Sequence, residues 1–127
     1  MFDIPPLQEI VVHAASYHLD RSVKYNEQNY GLGLRFQTEH HFTMIGGYRN
    51  SLYRDSFYVG VGKEFYSYGP FSFRLLAGLV TGYMIPVAPM VLPEVVARFG
   101  RLGVAINFVP HIGPLPGVLG FSIVWSV

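Results

Sequence analysis

Phe71–Gly82 reads FSFRLLAGLVTG, and its two interleaved sets of residues decide the fold. The odd positions Phe71, Phe73, Leu75, Ala77 and Leu79 are all hydrocarbon, whereas the even positions Ser72, Arg74, Leu76, Gly78, Val80 and Gly82 mix small residues with a charge. A period of two belongs to a strand, whose successive side chains point to opposite faces. The same division extends outward from this stretch. Leu102, Val104, Ile106 and Phe108 alternate with Gly103, Ala105 and Asn107, and Leu119, Phe121, Ile123, Trp125 and Val127 alternate with Gly120, Ser122 and Ser126. Upstream, Tyr30, Leu32, Leu34 and Phe36 oppose Gly31, Gly33, Arg35 and Gln37, and Phe57, Val59, Val61 and Phe65 oppose Ser56, Tyr58, Gly60, Gly62 and Glu64. Strands are expected over 7–19, 30–38, 41–49, 56–65, 71–82, 90–99, 102–109 and 118–126, joined alternately by tight turns and longer loops. That rhythm predicts an all-β, closed, antiparallel eight-stranded up-and-down barrel, a single domain over residues 1–127.

The solvent follows from which face is outside. A soluble lipocalin-type barrel covers its exterior with charge, near a quarter of the chain. Here only 13% of residues are charged, half are hydrophobic and the mean hydropathy is +0.30, which counts against a soluble exterior. The strand charges Arg35, Arg49, Glu64, Arg74, Glu94 and Arg98 are expected on the glycine-bearing face, neutralising one another in a narrow filled lumen. The large residues then face lipid. Tyr17, Tyr30, Tyr48, Tyr83 and Trp125 fall near expected strand ends, where an aromatic girdle would lie.

Residues 75–93 carry no charge and have the length of a transmembrane helix, but Pro86, Pro89 and Pro93 with Gly78 and Gly82 break that reading into strand, loop and strand. A net charge of +1 without a basic stripe excludes nucleic acid as a partner. Cysteine is absent, which excludes disulfides and thiolate chemistry. His13, His18, His40, His41 and His111 have no metal-site spacing, Gly31-Leu32-Gly33 has no helix after it to form a phosphate loop, and no cofactor is implied. Met1–Pro6 lacks the character of a secretory signal, so a precursor signal outside this chain is expected.

The long connections 20–29, 50–55, 83–89 and 110–117 emerge at one rim, where recognition or chemistry is expected. Through them runs an ordered set: His13-Ala14, Tyr25-Asn26-Glu27, Gly31-Leu32-Gly33, Tyr48-Arg49-Asn50-Ser51, Gly60-Val61-Gly62, Leu76-Ala77-Gly78-Leu79-Val80-Thr81, Ile85-Pro86, Pro89-Met90-Val91-Leu92-Pro93 and Phe108-Val109-Pro110. Over residues 9–127 this set resembles the PagP lipid A palmitoyltransferases, eight-stranded outer-membrane barrel enzymes. The resemblance implies transfer of a palmitoyl-type chain from phospholipid to lipid A in the outer membrane of a Gram-negative bacterium, by a monomer. It places Ser51 on the family serine and Asn50 on the family aspartate. Asn cannot ionise, so it cannot stabilise an imidazolium as a carboxylate would. His13 matches the family histidine if one residue is deleted before Tyr25, with His18 as its rival for general base. Gly62 falls at the floor of the family's hydrocarbon pocket, and Pro89 and Pro110 match prolines flanking one lateral opening in the barrel wall. The prolines of the other opening are replaced, one by Asn29 and one near Gln8. Two alternatives stand beside the enzyme: a lipid-binding or structural barrel on the same scaffold, which Asn50 favours, and a soluble lipocalin-like carrier, which the charge-poor face opposes.

Overall fold

A computed structural model of the chain describes residues 6–18, 26–38, 40–50, 52–82, 86–109 and 117–127, with the backbone alone at His18. Eight strands, β1 (Leu7–His18), β2 (Gln28–Gln37), β3 (Phe42–Arg49), β4 (Asp55–Tyr68), β5 (Phe71–Thr81), β6 (Val87–Phe99), β7 (Leu102–Val109) and β8 (Val118–Ser126), pair in chain order and close β8 on β1. Every ladder is antiparallel. From Val12 the pairing runs one way through Leu32, Gly47 and Phe57 to Thr81 and the other way through Ile123, Val104 and Ala97 to Phe71, a stagger of ten residues along β5. A stagger of this kind tilts the strands and sets an interior that side chains can fill.

The faces divide as the alternation dictates. Leu32, Ile45, Val59, Val61, Leu75, Leu79, Val104 and Ile123 are exposed on the outside of the wall, whereas Val11, Val96, Ala105 and Val124 are fully buried within. Large apolar residues outside and charge inside is the arrangement of a transmembrane barrel, in which lipid covers the exterior.

Several strand boundaries and two side chains differ from expectation. β4 continues to Tyr68, so its turn contracts to Gly69-Pro70, with Gly69 at φ 56°. β6 starts at Val87 rather than 90, which takes Pro89 into the ladder with β5 opposite Leu79, while Pro93 pairs opposite Leu75 within the expected strand. β2 begins at Gln28, β5 ends at Thr81 and β1 at His18. Arg49 does not enter the lumen: parity turns it outward, where it meets exposed Asp55 at 3.2 Å. Tyr48 turns inward instead of joining a girdle, while Tyr17, Tyr30 and Trp125 are exposed and Tyr83 lies outside the described residues. The other rim carries exposed Tyr66, Tyr68, Phe71 and Phe99.

A charged layer crosses the lumen. Arg35 grips Glu94 through both terminal nitrogens at 2.6 and 2.8 Å, and Arg74 grips Glu9 in the same way at 2.7 and 2.9 Å. Arg98 adds a bond to Glu9, Asn107 donates to Glu94, and the ring of Phe42 lies 5.2 and 5.5 Å from the guanidinium carbons of Arg35 and Arg74. Planar forks matched to carboxylates are strong, specific pairs. Removing one member would leave a buried charge uncompensated, at about 3–5 kcal/mol. Glu64 stands at the edge of this layer, 3.9 Å from Arg74 and half exposed.

Candidate functional site

On the long-loop side of the charged layer the lumen opens into a cavity of about 140 Å³. A water molecule needs roughly 10–15 Å³ on this measure, so the space exceeds a single water site several-fold. Met44, Leu76, Met90, Leu92, Val109 and Val118 give it an apolar wall, and Arg35 and Asn107 bring the charged layer to its boundary.

The polar wall is centred on His13. Its Nδ1 lies 3.0 Å from Ser122 Oγ on neighbouring β8, and its Nε2 lies 2.7 Å from the hydroxyl of Tyr58, across the lumen on β4. A neutral imidazole donates at one nitrogen and accepts at the other, so the two hydroxyls fix the ring between them. Tyr58 crosses the lumen because nothing stands in its way. A Cβ at Gly33 would lie 2.2 Å from its hydroxyl oxygen, and one at Gly46 2.5 Å. Two glycines on adjacent strands thus make the groove in which the phenol lies, and Tyr48 packs against both rings. Ser16 and Asn29 share a hydrogen bond at the cavity's upper edge.

One seam of the wall stops short. The β6–β7 ladder ends at Glu94↔Asn107, although β6 continues to Val87 and β7 to Val109, where Phe108 and Val109 pair only with β8. Residue chemistry accounts for the stop. The Arg98 amide donates to Pro70 O at the start of β5, so even-numbered amides of β6 point to β5 and odd-numbered ones to β7, since amides alternate between neighbours along an antiparallel strand. Pro89 and Pro93 are odd. Neither has a donor to give on the β7 side, and between them Met90 and Leu92 line the cavity. On the opposite side, β1 and β2 stay paired from Leu7↔Phe36 to Ala15↔Gln28, with a bulge between His13 and Ala15.

The remaining expected site residues are dispersed. Asn50 is fully buried: its Nδ2 donates to Ser56 Oγ at 2.9 Å and Gly82 O at 2.8 Å, and its Oδ1 accepts from the amides of Leu52 and Arg54 at 2.8 and 3.1 Å. Those four bonds occupy both donors and both lone pairs. Asn50 folds the β3–β4 loop and has nothing left for an imidazole. Gly62 lies beneath the cavity rather than on its boundary, where a Cβ would meet the Phe42 ring at 2.3 Å and Leu76 at 2.7 Å. Pro89 is exposed on the outside of the seam. Ser51 and Pro110, like Tyr25, lie outside the described residues, as does the side chain of His18. Among the described residues no cluster of three or more metal-ligating side chains is close enough to hold an ion.

Sequence alone does not single out Tyr58, Ser122 or Glu9. A tyrosine between glycine-bearing strands is the signal for the first; the glutamate's inward parity with Val11 is the signal for the last.

No family model matches the chain, and no curated protein matches it. Solved structures do. A barrel described under "De novo design of transmembrane beta-barrels" superposes with a TM-score of 0.71 at 14% identity over all of both chains. The NMR structure of the designed barrel TMB2.3 gives 0.70 at 15% identity, over all of this chain and 98% of that one. The N-terminal β-barrel domain of OprF from Pseudomonas aeruginosa gives 0.57 at 11% identity, over 98% of this chain and all of that domain. At these identities the likeness establishes the transmembrane barrel fold alone.

Proposed function

We propose that this chain is an outer-membrane barrel that draws the acyl chain of a membrane lipid sideways from the bilayer into its lumen, on the scaffold implied by the palmitoyltransferase-like pattern of the sequence. The observation that carries this reading is the coincidence of the shortened β6–β7 seam with the Met90 and Leu92 wall of the cavity. A hydrocarbon chain crossing there leaves lipid for apolar side chains and meets no ladder hydrogen bond to break. The exposed apolar belt and the likeness to the OprF barrel support an outer membrane, and hence a Gram-negative source. A wall that closes on itself supports a monomer.

Acyl transfer from phospholipid to lipid A is the second reading, favoured by the ordered motifs around His13 and Ser51. In it His13 or His18 acts as general base and Ser51 supplies a hydroxyl, with Pro89 and Pro110 flanking the entry. The saturated bonds of Asn50 weigh against that reading and for binding without chemistry.

Both are tested in vesicles containing a phospholipid with a photoactivatable group near the end of its palmitoyl chain. Crosslinks to Met90, Leu92 or Met44, mapped by mass spectrometry, are expected. Crosslinks confined to outward residues such as Val91 and Val104 would contradict lumen entry. With lipid A added, a product heavier by one acyl chain would establish transfer; lumen crosslinks without that product would leave a binding protein.

A further inference from the structure

The boundary of the cavity is not what a hydrocarbon end requires. Arg35 lines it, is 3% exposed, and spends both terminal nitrogens on Glu94, yet its Nε is buried with no hydrogen-bond partner. A buried donor left unmade costs about 1–3 kcal/mol. Asn107 and the pair His13 and Ser122 face the same space, whereas Met90 and Leu92 stand at the shortened seam. The cavity therefore has a guanidinium at its inner boundary and an apolar side entrance, and a methyl terminus pushed inward would be set against that guanidinium.

From this we infer that the lumen binds a single-chain amphiphile head-first: a free fatty acid whose carboxylate accepts from Arg35 Nε beside Asn107 and whose tail leaves between Met90 and Leu92 toward the bilayer. The proposal deepens the lateral-entry reading and rests on it for the tail's path. A carboxylate is suited to the site because Arg35 is the guanidinium of the layer that lines the cavity, and its fork onto Glu94 leaves Nε as a donor without a partner. The carboxylate would thus meet Arg35 from the open side of the layer.

The methionine methyls report the orientation. Met44 is paired with Arg35 across the β2–β3 ladder, and Met90 lies in the unzipped part of β6. The protein, labelled with 13C at methionine methyls, is placed in phosphatidylcholine nanodiscs with laurate at a pH where it is ionised. Head-first binding places the laurate α-methylene in NOE contact with Met44 and its terminal methyl nearer Met90. Laurate should also bind roughly tenfold or more tightly than methyl laurate, the ratio expected of one charge-assisted hydrogen bond. In Arg35→Lys, which keeps a charge for Glu94 but has no Nε, that preference should collapse toward unity. Should this variant not fold, the NOE pattern of the unaltered protein decides alone. Terminal-methyl contacts at Met44, with the methyl ester bound as tightly, would overturn the head-first assignment and leave lateral entry standing. If neither amphiphile contacts either methionine, both the orientation and the lateral-entry reading fail.

Discussion

Among single residues, Asn50 and Gly62 change meaning between sequence and structure. Asn50 reads as a degraded catalytic aspartate, but its amide is the knot of the β3–β4 loop. Asn50→Asp would turn an oxygen toward the carbonyl of Gly82 and lose both donated bonds. We expect it to destabilise the barrel by about 1–3 kcal/mol in urea unfolding from lipid, without raising acyl transfer; undiminished stability together with new activity would restore the catalytic reading. Gly62 reads as a ruler at a pocket floor, but Phe42 covers it. Gly62→Met should cost about 1–3 kcal/mol of unfolding free energy through overpacking and leave the preferred chain length of any bound lipid unchanged. A chain-length shift in a stably folded variant would return Gly62 to the cavity. Spacing alone can locate these residues on the inner face, but not show what fills the space above them, because that is set by side chains from other strands.

In the strands, alternation carries most of the information. Strand number, order of faces and the tight turns are legible because a buried face and a lipid face impose opposite residue choices at every step. Two things are not. Arg49 groups with the inward residues by its charge, although parity with Met44 and Tyr48 turns it outward. Pro89 reads as a loop residue because proline is rare inside ladders; it is tolerated in β6 because its missing donor points to the side where β7 has already left. Restoring a donor therefore tests what holds the seam short. Pro93→Val returns an amide to the β7 side next to the last pair, Glu94↔Asn107, so the ladder should lengthen. The new amide at position 93 should then become protected in hydrogen exchange, and photocrosslinking to Met90 and Leu92 should fall. A freely exchanging amide at that position, with unchanged crosslinking, would show that proline does not hold the seam short. On the outer face, Val104→Arg near the middle of β7 should cost about 2–4 kcal/mol at mid-bilayer, read from unfolding in lipid.

For the barrel as a whole, the inside and outside have exchanged the roles they hold in a soluble barrel. The charged layer of Glu9, Arg35, Arg74, Glu94 and Arg98 closes the lumen, and the cost of desolvating it is met by forked hydrogen bonds rather than by water. Breaking it from one side should be severe: Arg74→Met removes the bidentate partner of Glu9 and should cost about 3–5 kcal/mol, with Glu9→Gln/Arg74→Met recovering much of the loss in the same unfolding assay. Sequence parity shows that such charges share a face, but not which pairs form, since the partners lie far apart in the chain and meet only across the closed barrel. All of this depends on lipid covering the apolar exterior, and the direct measurement is paramagnetic relaxation in nanodiscs. A phospholipid spin-labelled at its chain end should broaden the amides of Val59, Val104 and Ile123, while a water-soluble gadolinium chelate should reach only the turns at Gly69 and Gly100 and the opposite rim. A monodisperse monomer in plain buffer, with the amides of Val59, Val104 and Ile123 relaxed by the chelate, would contradict the account.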